Sequence, residues 1–155
     1  MGRYQQGFYK VKNAEKYIGN PDGVVYRSSW ERKFMCFLDN HPNVLQWGSE
    51  EIAIPYTWCG EAHRYFPDFV VEYKAANGVV RKMLVEIKPF DQTLPPALPK
   101  RKTPKTLVNY ELAVKTYTKN LAKWEHAKKF CESNGAKFVV LTERELYKQT
   151  KNGRL

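Results

Sequence analysis

The sequence predicts an α/β fold in which a mixed sheet is flanked by helices, in the order α-β-β-β-α-β. Three segments in the first half of the chain are rich in β-branched and aromatic residues and are bounded by turn residues. A helical pattern precedes them, and a longer helical pattern and a fourth strand pattern follow them. With 155 residues, of which 43% are hydrophobic, the chain suits one compact domain with a single core.

An irregular N-terminal arm is predicted for residues 1–26, because Gly, Asn and Pro interrupt it, as in YIGNPDG. Residues 27–155 are predicted to form a single domain that begins with a helix over SSWERKFMCFLDNHP. Ser28 is the expected N-cap of this helix. His41-Pro42 is expected to end it, since the residue before a proline disfavours helical backbone.

The three strand patterns are VLQWGSEEIAIPYTW, HRYFPDFVVEYK and GVVRKMLVEIK. The sequence AANG separates the second pattern from the third, and Asn77-Gly78 can supply the positive φ of a tight hairpin turn. We therefore expect the three strands to form an antiparallel meander.

A loop is predicted for residues 89–108, which contain five prolines. A long helix is expected from Asn109 to Ser133, closed by Asn134-Gly135. KFVVLTE is predicted as a strand that the helix returns parallel to the sheet, and ERELYKQTK as a short terminal helix. One apolar stripe is expected along the long helix: Tyr110, Val114, Tyr117, Leu121 and Trp124.

The composition disfavours several classes of protein. No apolar run approaches the roughly 20 residues that span a bilayer, and MGRYQQGFYKVKN lacks the apolar core of a secretory signal. The three cysteines are widely spaced without a Cys-x-x-Cys pair, and the three histidines lie far apart. These patterns argue against a disulfide framework and a structural zinc site, and they favour a reducing, intracellular environment.

The net charge of +10 is unevenly distributed, because residues 1–88 carry +2 and residues 89–155 carry +8. A basic half of this kind is typical of proteins that bind a polyanion, of which nucleic acid is the first candidate. A well-solvated basic surface would have the same composition, so charge alone leaves both interpretations open.

Two neighbouring strand patterns each place a carboxylate near one end. Asp68 follows Pro67 at the start of one, and Glu86 and Lys88 share a face of the next, because strand side chains alternate. If the strands are adjacent, the carboxylates converge into a site for Mg²⁺, with Mn²⁺ as a substitute and the Ile87 carbonyl as a further ligand. A lysine beside the cation could activate water and offset charge on a phosphate. Alternatively, this is an ordinary half-exposed strand.

Glu31 on the first helix has two interpretations. In a capping box with Ser28, its carboxylate would reach back to the Ser28 amide. Otherwise it faces the sheet and completes the acidic site as a third metal ligand. Glu50 and Glu51 lie on opposite faces of the first strand pattern, so at most one of them could point toward the site.

Basic residues around this site are candidates for contacts to DNA phosphates, with a solvated surface as the alternative for each. Three of them flank the carboxylates: Arg27, His63 and Arg64. Four are predicted in the loop after the third strand: Lys100, Arg101, Lys102 and Lys105. Three recur every four residues on the long helix: Lys115, Lys119 and Lys123. The four tryptophans are expected in the core or partly in it rather than as platforms for bases.

At this point the residues resemble a known family. The order of a helix acid, Pro67-Asp68 and Glu86-Ile87-Lys88 resembles the PD-(D/E)XK nuclease superfamily. Four longer segments are more specifically similar to the head completion nucleases of T-even-like bacteriophages. They are YRSSWERKFMCFLD, SEEIAIPY, HRYFPDFVVEY and VEIKP. They are also similar to the end-cleaving subunits of Tn7-type transposases.

The resemblance implies a restriction-endonuclease-like core with Asp68 and Glu86 as metal ligands, Lys88 as the catalytic lysine and Glu31 as the helix acid. It implies a Mg²⁺-dependent DNA endonuclease that acts in phage head completion after DNA packaging. The implied partners are DNA and capsid or head-assembly proteins, with no membrane, and the implied location is the virion and the host cytoplasm. Two alternatives stay open: a non-catalytic DNA-binding or capsid-plugging protein, and a transposase or junction-resolvase type of nuclease.

Overall fold

The computed structural model describes residues 6–146. Within this range the chain forms two α-helices and eight strands, with short 3₁₀ turns between some of them. In chain order these are β1 (Gly7–Phe8), β2 (Val25–Tyr26), α1 (Ser29–Asn40), β3 (Val44–Ser49), β4 (Ile54–Trp58), β5 (Glu61–Tyr65), β6 (Phe69–Lys74), β7 (Val80–Ile87), α2 (Pro104–Ser133) and β8 (Lys137–Leu141).

The central sheet has four strands in the order β3-β6-β7-β8. The first three pair antiparallel and β8 pairs parallel to β7, so that α2 serves as the crossover between two parallel strands. Because strand side chains alternate, one face of the sheet packs against α1 and the other against α2. The predicted fold class, a mixed sheet flanked by helices with a restriction-endonuclease-like α-β-β-β-α-β core, is confirmed.

The hairpin that joins β6 to β7 is also confirmed. Gly78 has a φ of +83°, the conformation that glycine adopts without penalty, and its N–H donates to the Ala75 carbonyl at 2.9 Å. This turn sets the register in which Phe69 lies opposite Val85. That register decides which residues face each other at the far end of the hairpin.

The first two predicted strands are each divided, and this corrects the simple meander. The divided parts form a separate hairpin, β4 paired antiparallel with β5, outside the central sheet. Glu50 interrupts the first pattern with a φ of +55°, and Pro67, which has no N–H for a ladder, lies in the break of the second. Cys59 and Gly60 form the hairpin tip with φ values of +52° and +76°, the signs that a type I′ turn requires.

Helix α2 begins at Pro104, five residues before the predicted start, so the predicted loop is too long. Thr103 is the N-cap and forms a capping box with Thr106, and Pro104 takes the first helical position. Proline is favoured there, because its missing N–H would have no helical partner in any case. Lys105 therefore lies on the helix, and a 3₁₀ turn at Phe90–Thr93 occupies part of the predicted loop.

The predicted apolar stripe of α2 is largely wrong. Of its five members only Trp124 is buried, and Leu121 is 43% exposed. The fully buried stripe is confined to the second half of the helix and shares only Trp124 with the prediction; its members are Asn120, Trp124, Ala127 and Cys131. In the first half of the helix Tyr110, Val114 and Tyr117 are half-buried, so the predicted face is only partly covered there.

The N-terminal segment is packed into the core through a buried carboxylate. Asp39 on α1 is completely buried and accepts hydrogen bonds from the Tyr9 hydroxyl at 3.0 Å, the Lys12 amide at 2.7 Å and the Asn13 amide at 3.0 Å. Tyr17 packs edge-on against the buried Trp47, with ring centroids 4.8 Å apart. Sequence periodicity did not single out Asp39, since an acid near the end of a helix has the pattern of a solvated position.

At the other end, β8 is confirmed as a strand parallel to β7. Residues 143–146 are helical, as predicted, and the rest of the predicted terminal helix lies outside the described residues, as do residues 1–5 of the arm. Neither α-helix between residues 6 and 146 carries an apolar stretch of the length that a bilayer requires.

Candidate active site

The register of β6 and β7 places Asp68 opposite Glu86. Phe69 pairs with Val85 in this antiparallel ladder. Asp68, which precedes Phe69, therefore lies opposite Glu86, which follows Val85, at the open end of the hairpin. The Ile87 amide donates to Asp68 Oδ2 at 2.7 Å, which fixes the carboxylate against β7. The two acids predicted to converge are thus brought together where the central strands β6 and β7 meet at the open end of their hairpin.

Glu86 is held in place from two sides. It is only 8% exposed, and the buried Tyr65 hydroxyl donates to its Oε2 at 2.5 Å. Lys88, two residues along the same face of β7, places its Nζ 3.7 Å from Glu86 Oε1. Sequence reasoning missed Tyr65. No sequence signal places it there, because continued strand alternation would set Tyr65 and Asp68, three residues apart, on opposite faces.

Burial makes this pair of acids electrostatically unfavourable when both are ionised. Burial raises the pKa of Asp68 well above its usual range, and the neighbouring Glu86 raises it further. Burial also raises the pKa of Glu86, although the Tyr65 hydroxyl and the Lys88 ammonium act in the opposite direction. A positive charge between the two carboxylates would reduce this repulsion, because an opposite charge favours the ionised form of each acid.

The donor set fits a hard divalent cation such as Mg²⁺, which is commonly bound by one or two carboxylates together with waters and substrate phosphate. Asp68 and Glu86 supply such a pair. Among residues 6–146, no group of three or more His, Cys, Asp or Glu side chains is gathered closely enough to hold a metal alone. Ile87 places its amide on Asp68, and a role of its carbonyl as a ligand stays a prediction.

Glu31 lies at the first turn of α1, beside the carboxylate pair. The Ser28 hydroxyl accepts from the Glu31 amide at 3.0 Å, as an N-cap should. The Glu31 carboxylate accepts from the Arg27 amide at 2.9 Å, one residue before the amide that the capping-box interpretation names. Burial raises the pKa of Glu31, and Glu50 and Glu86 contribute to the increase, so its charge interacts with the carboxylate pair.

A cleft of about 340 Å³ opens over this part of the molecule. Arg27 lines this cleft and forms an ion pair with Glu50, the residue whose φ is positive. The neighbouring Glu51 accepts a hydrogen bond from the Tyr17 hydroxyl. The cleft connects Glu31 on α1 to the end of β7 and Lys88. Its lining residues are Arg27, Ser28, Trp30, Glu31, Ile87, Lys88, Pro89 and Gln92.

The other predicted DNA contacts are distributed unequally. His63 stacks on Tyr56 and Arg64 lies over Phe66, so both belong to the β4–β5 hairpin and its end rather than to the carboxylate pair. The exposed basic cluster that precedes or begins α2 has no described contact with the carboxylates: Lys100, Arg101, Lys102 and Lys105.

The helix lysines behave differently from that cluster. Lys115 and Lys119 lie over the Trp58 ring, and Lys123 lies over the Tyr65 ring. Burial lowers the pKa of Lys123 and the nearby Lys88 lowers it further. Lys123 is half-buried and lies over Tyr65, so it is close to Glu86 rather than on a solvated helix face.

The two interpretations of Glu31 can be separated by a Glu31→Gln substitution. The amide oxygen of Gln can still accept from the Arg27 amide, so we expect the free energy of unfolding to stay within about 0.5 kcal/mol of wild type. The loss of negative charge beside Glu86 should reduce DNA cleavage by roughly tenfold or more. Glu132→Gln, which removes a carboxylate from an exposed position of α2, is the matched control. Full cleavage by Glu31→Gln would leave this residue with a capping role only.

Comparison with known proteins shows which family the chain is related to. The family model for the TnsA-like endonuclease N-terminal domain matches residues 41–143, a range that contains Asp68, Glu86 and Lys88 and excludes Glu31. The chain is 37% identical over 140 residues to the head completion nuclease of Enterobacteria phage T4, covering 88% of this chain and 90% of that protein. No solved structure matches the chain.

Proposed function

The chain belongs to the TnsA-like endonuclease family, and we propose that it is a metal-dependent DNA endonuclease of PD-(D/E)XK type that acts in phage head completion. One observation carries the chemistry: Asp68 and Glu86 face each other in a buried site, with the Lys88 ammonium 3.7 Å from Glu86. Buried acids in mutual repulsion are an unfavourable arrangement for a protein that only needs to fold. They suit one that binds a cation.

In this proposal Asp68 and Glu86 hold Mg²⁺, or Mn²⁺ in its place, and the Ile87 carbonyl and Glu31 are further candidate ligands. The cation would supply the positive charge that stabilises phosphodiester hydrolysis at the phosphate. The Ile87 amide holds the Asp68 carboxylate and the Tyr65 hydroxyl holds that of Glu86, so both acids are oriented before substrate arrives.

Lys88 is the residue proposed to act on water and phosphate. Its ammonium lies on the same face as Glu86, and the side chain is 23% exposed and lines the cleft. From there it can orient an attacking water and offset negative charge as it develops on the phosphate. Lys123 adds positive charge from α2 on the same side of the sheet.

Metal dependence can be tested by binding as well as by activity. A ligand present at 100 times its Kd stabilises the native state by about 2.7 kcal/mol. For a chain of this size that raises the Tm by roughly 5–10 °C. We expect this shift with Mg²⁺ or Mn²⁺ and none with Asp68→Asn. Cleavage of linear, nicked, branched and single-stranded DNA should require the same cations and stop with a chelator.

Two results would contradict the proposal. A Tm shift of equal size in the wild type and in Asp68→Asn would place the cation elsewhere. A cation-dependent shift without cleavage of any DNA would favour the alternative of a DNA-binding or plugging protein that keeps the nuclease fold.

The proposed role in head completion rests on similarity to the phage relative, which extends over 88% of this chain and 90% of that protein. In that role the partners are DNA and capsid or head-assembly proteins, and the sites of action are the virion and the host cytoplasm. Co-sedimentation with DNA-filled heads tests it. A protein that cleaves DNA but does not associate with heads would fit a transposase or junction-resolvase type of nuclease instead.

A further inference from the structure

A row of three lysines runs along one side of α2 opposite the β4–β5 hairpin. Lys115, Lys119 and Lys123 are four residues apart, and at 1.5 Å per residue their backbone positions advance by about 6 Å each. The Nζ atoms of the first two lie 5.7 and 5.5 Å from the Trp58 ring. The Nζ of the third lies 5.7 Å from the Tyr65 ring.

The row leads to the catalytic acids. The Tyr65 ring that Lys123 covers carries the hydroxyl bound to Glu86 at 2.5 Å. Lys123 also interacts electrostatically with Lys88 and Glu86. The positive charge therefore continues along α2 from the Trp58 ring to Lys88 beside the carboxylate pair.

Ordinary surface solvation does not account for how these ammoniums are placed. Glu111 precedes Lys115 by four residues, the spacing of a helical ion pair, yet Lys115 lies over Trp58 instead. Two like charges share one indole ring, which attracts each of them while they repel each other. Among the described residues no acid lies within ion-pair distance of the row, whereas Lys129 on the same helix pairs with Glu125 at 3.4 Å.

We propose, resting on the proposed nuclease function, that this row and the Trp58 ring form a track for a single DNA strand. The preferred substrates would then carry a single-stranded segment, such as a tail, a flap or a gap. One row of ammoniums can follow one phosphate backbone, and an aromatic face beside it stacks bases without reading their sequence. Trp58 is partly exposed, unlike the buried Trp47 and Trp124.

The end of the track also fits a single strand better than a duplex. Glu86 is only 8% exposed, its Oε2 accepts from the Tyr65 hydroxyl, and Lys123 lies over the Tyr65 ring, so a phosphate approaches Glu86 past these two side chains. An unpaired strand can bend toward a buried group of this kind, while a strand held in a duplex needs its partner displaced.

Binding without divalent cations tests the track independently of cleavage. Fluorescence anisotropy in a chelator would compare a single-stranded 20-mer, the blunt duplex of the same sequence and that duplex with a single-stranded tail. Lys115→Ala/Lys119→Ala should weaken single-strand binding roughly tenfold and lower the log–log salt slope by about 1.4, at about 0.7 per phosphate contact. Trp58→Ala should weaken it similarly, and Trp58→Phe should keep most of the affinity.

The matched control is Lys128→Ala/Lys129→Ala, which removes the same charge from exposed positions of the same helix. It should change the affinity less than twofold. The track is overturned if the row variant binds single strands as tightly as this control does, or if it loses equal affinity for the blunt duplex. Thermal unfolding of each variant verifies that it is folded.

Failure of the track and failure of the nuclease function give different results. If the wild type binds tailed DNA through the row but does not cleave it with Mg²⁺, the nuclease function fails and the track stands. If it cleaves blunt and tailed DNA equally and the row variant cleaves like the control, the function stands and the track fails.

Discussion

An Asp68→Asn substitution is expected to reduce DNA cleavage by at least about 10³-fold while the protein stays folded. A bound cation contributes several kcal/mol to stabilising the transition state, and each 1.36 kcal/mol corresponds to a factor of ten in rate. Asn keeps a side-chain oxygen that can accept from the Ile87 amide, so the local contact at 2.7 Å survives. What is removed is the charge that holds the cation.

The same substitution should stabilise the protein, and increasingly so as the pH rises. Burial and Glu86 raise the pKa of Asp68 in the folded state, so the folded protein holds this proton more tightly than the unfolded chain does. Its contribution to stability is therefore complete below the unfolded pKa and is lost as the pH rises through the raised folded pKa. We expect the free energy of unfolding of Asp68→Asn to exceed that of wild type by more at pH 8 than at pH 4, without divalent cations.

Asp22→Asn is the control, because it removes a carboxylate from an exposed turn. It should leave both cleavage and the pH dependence of stability unchanged. Cleavage by Asp68→Asn at the wild-type rate would remove Asp68 from the site. A stability difference that does not grow with pH would mean that Asp68 is not the acid whose ionisation is suppressed by burial.

The meeting of Asp68 and Glu86 could be predicted because it depends on local features. Alternation along a strand and a tight turn at Gly78 are sufficient to make the hairpin partners adjacent, and the turn fixes their register. Tyr65 could not be placed in the same way. Its contact with Glu86 requires the chain to leave the sheet after Ser49, form the extra hairpin and return before Phe69.

The errors on α2 have one physical origin. A helical pattern predicts which residues share a face, but it does not predict where the sheet ends. Leu121 fits the apolar spacing and is 43% exposed, while Asn120, which does not fit it, is buried at 8% exposure. The same helix begins at Pro104 because Thr103 and Thr106 cap it. The five prolines of residues 89–108 favour a loop over this whole range, so composition hides the capping signal.

Glu31 shows how a local motif can be correct in part. Ser28 caps the helix as predicted, yet the carboxylate of Glu31 accepts from Arg27 and shares the electrostatic field of Glu86. Capping requires only short-range geometry, whereas the second property depends on how α1 is docked on the sheet. The docking depends on buried contacts between the helix and the sheet, such as the edge-on contact of Phe34 with Phe69.

Lys88→Met is expected to abolish cleavage, with a loss of roughly 10²–10⁴-fold, the usual range for a group that moves a proton or offsets developing charge. The ammonium is 3.7 Å from Glu86 Oε1, on the side of the strand that faces the cleft. Met fills a similar volume without charge, so the loss would reflect charge and proton chemistry rather than a cavity. Lys82→Met, on an exposed position of the same strand, is the control.

This substitution should also destabilise the protein at neutral pH, in contrast to Asp68→Asn. The Lys88 charge lowers the pKa of both Asp68 and Glu86 against the effect of burial, so its removal leaves two buried acids with less compensation. We expect a loss of about 1–3 kcal/mol in the free energy of unfolding without divalent cations. The loss should shrink as the pH falls through the raised pKa values of the two acids, because they are then neutral in both proteins.

A double substitution separates the chemical role of Lys88 from its compensating role. Lys88→Met/Glu86→Gln removes the ammonium together with its nearest acid, so we expect stability to return to near the wild-type value while cleavage stays lost. Lys88→Arg keeps the charge but is a poor proton donor and acceptor, so it should keep stability and lose most of the activity. If Lys88→Arg cleaves at the wild-type rate, then Lys88 acts through its charge alone, and another group must handle the proton of the attacking water.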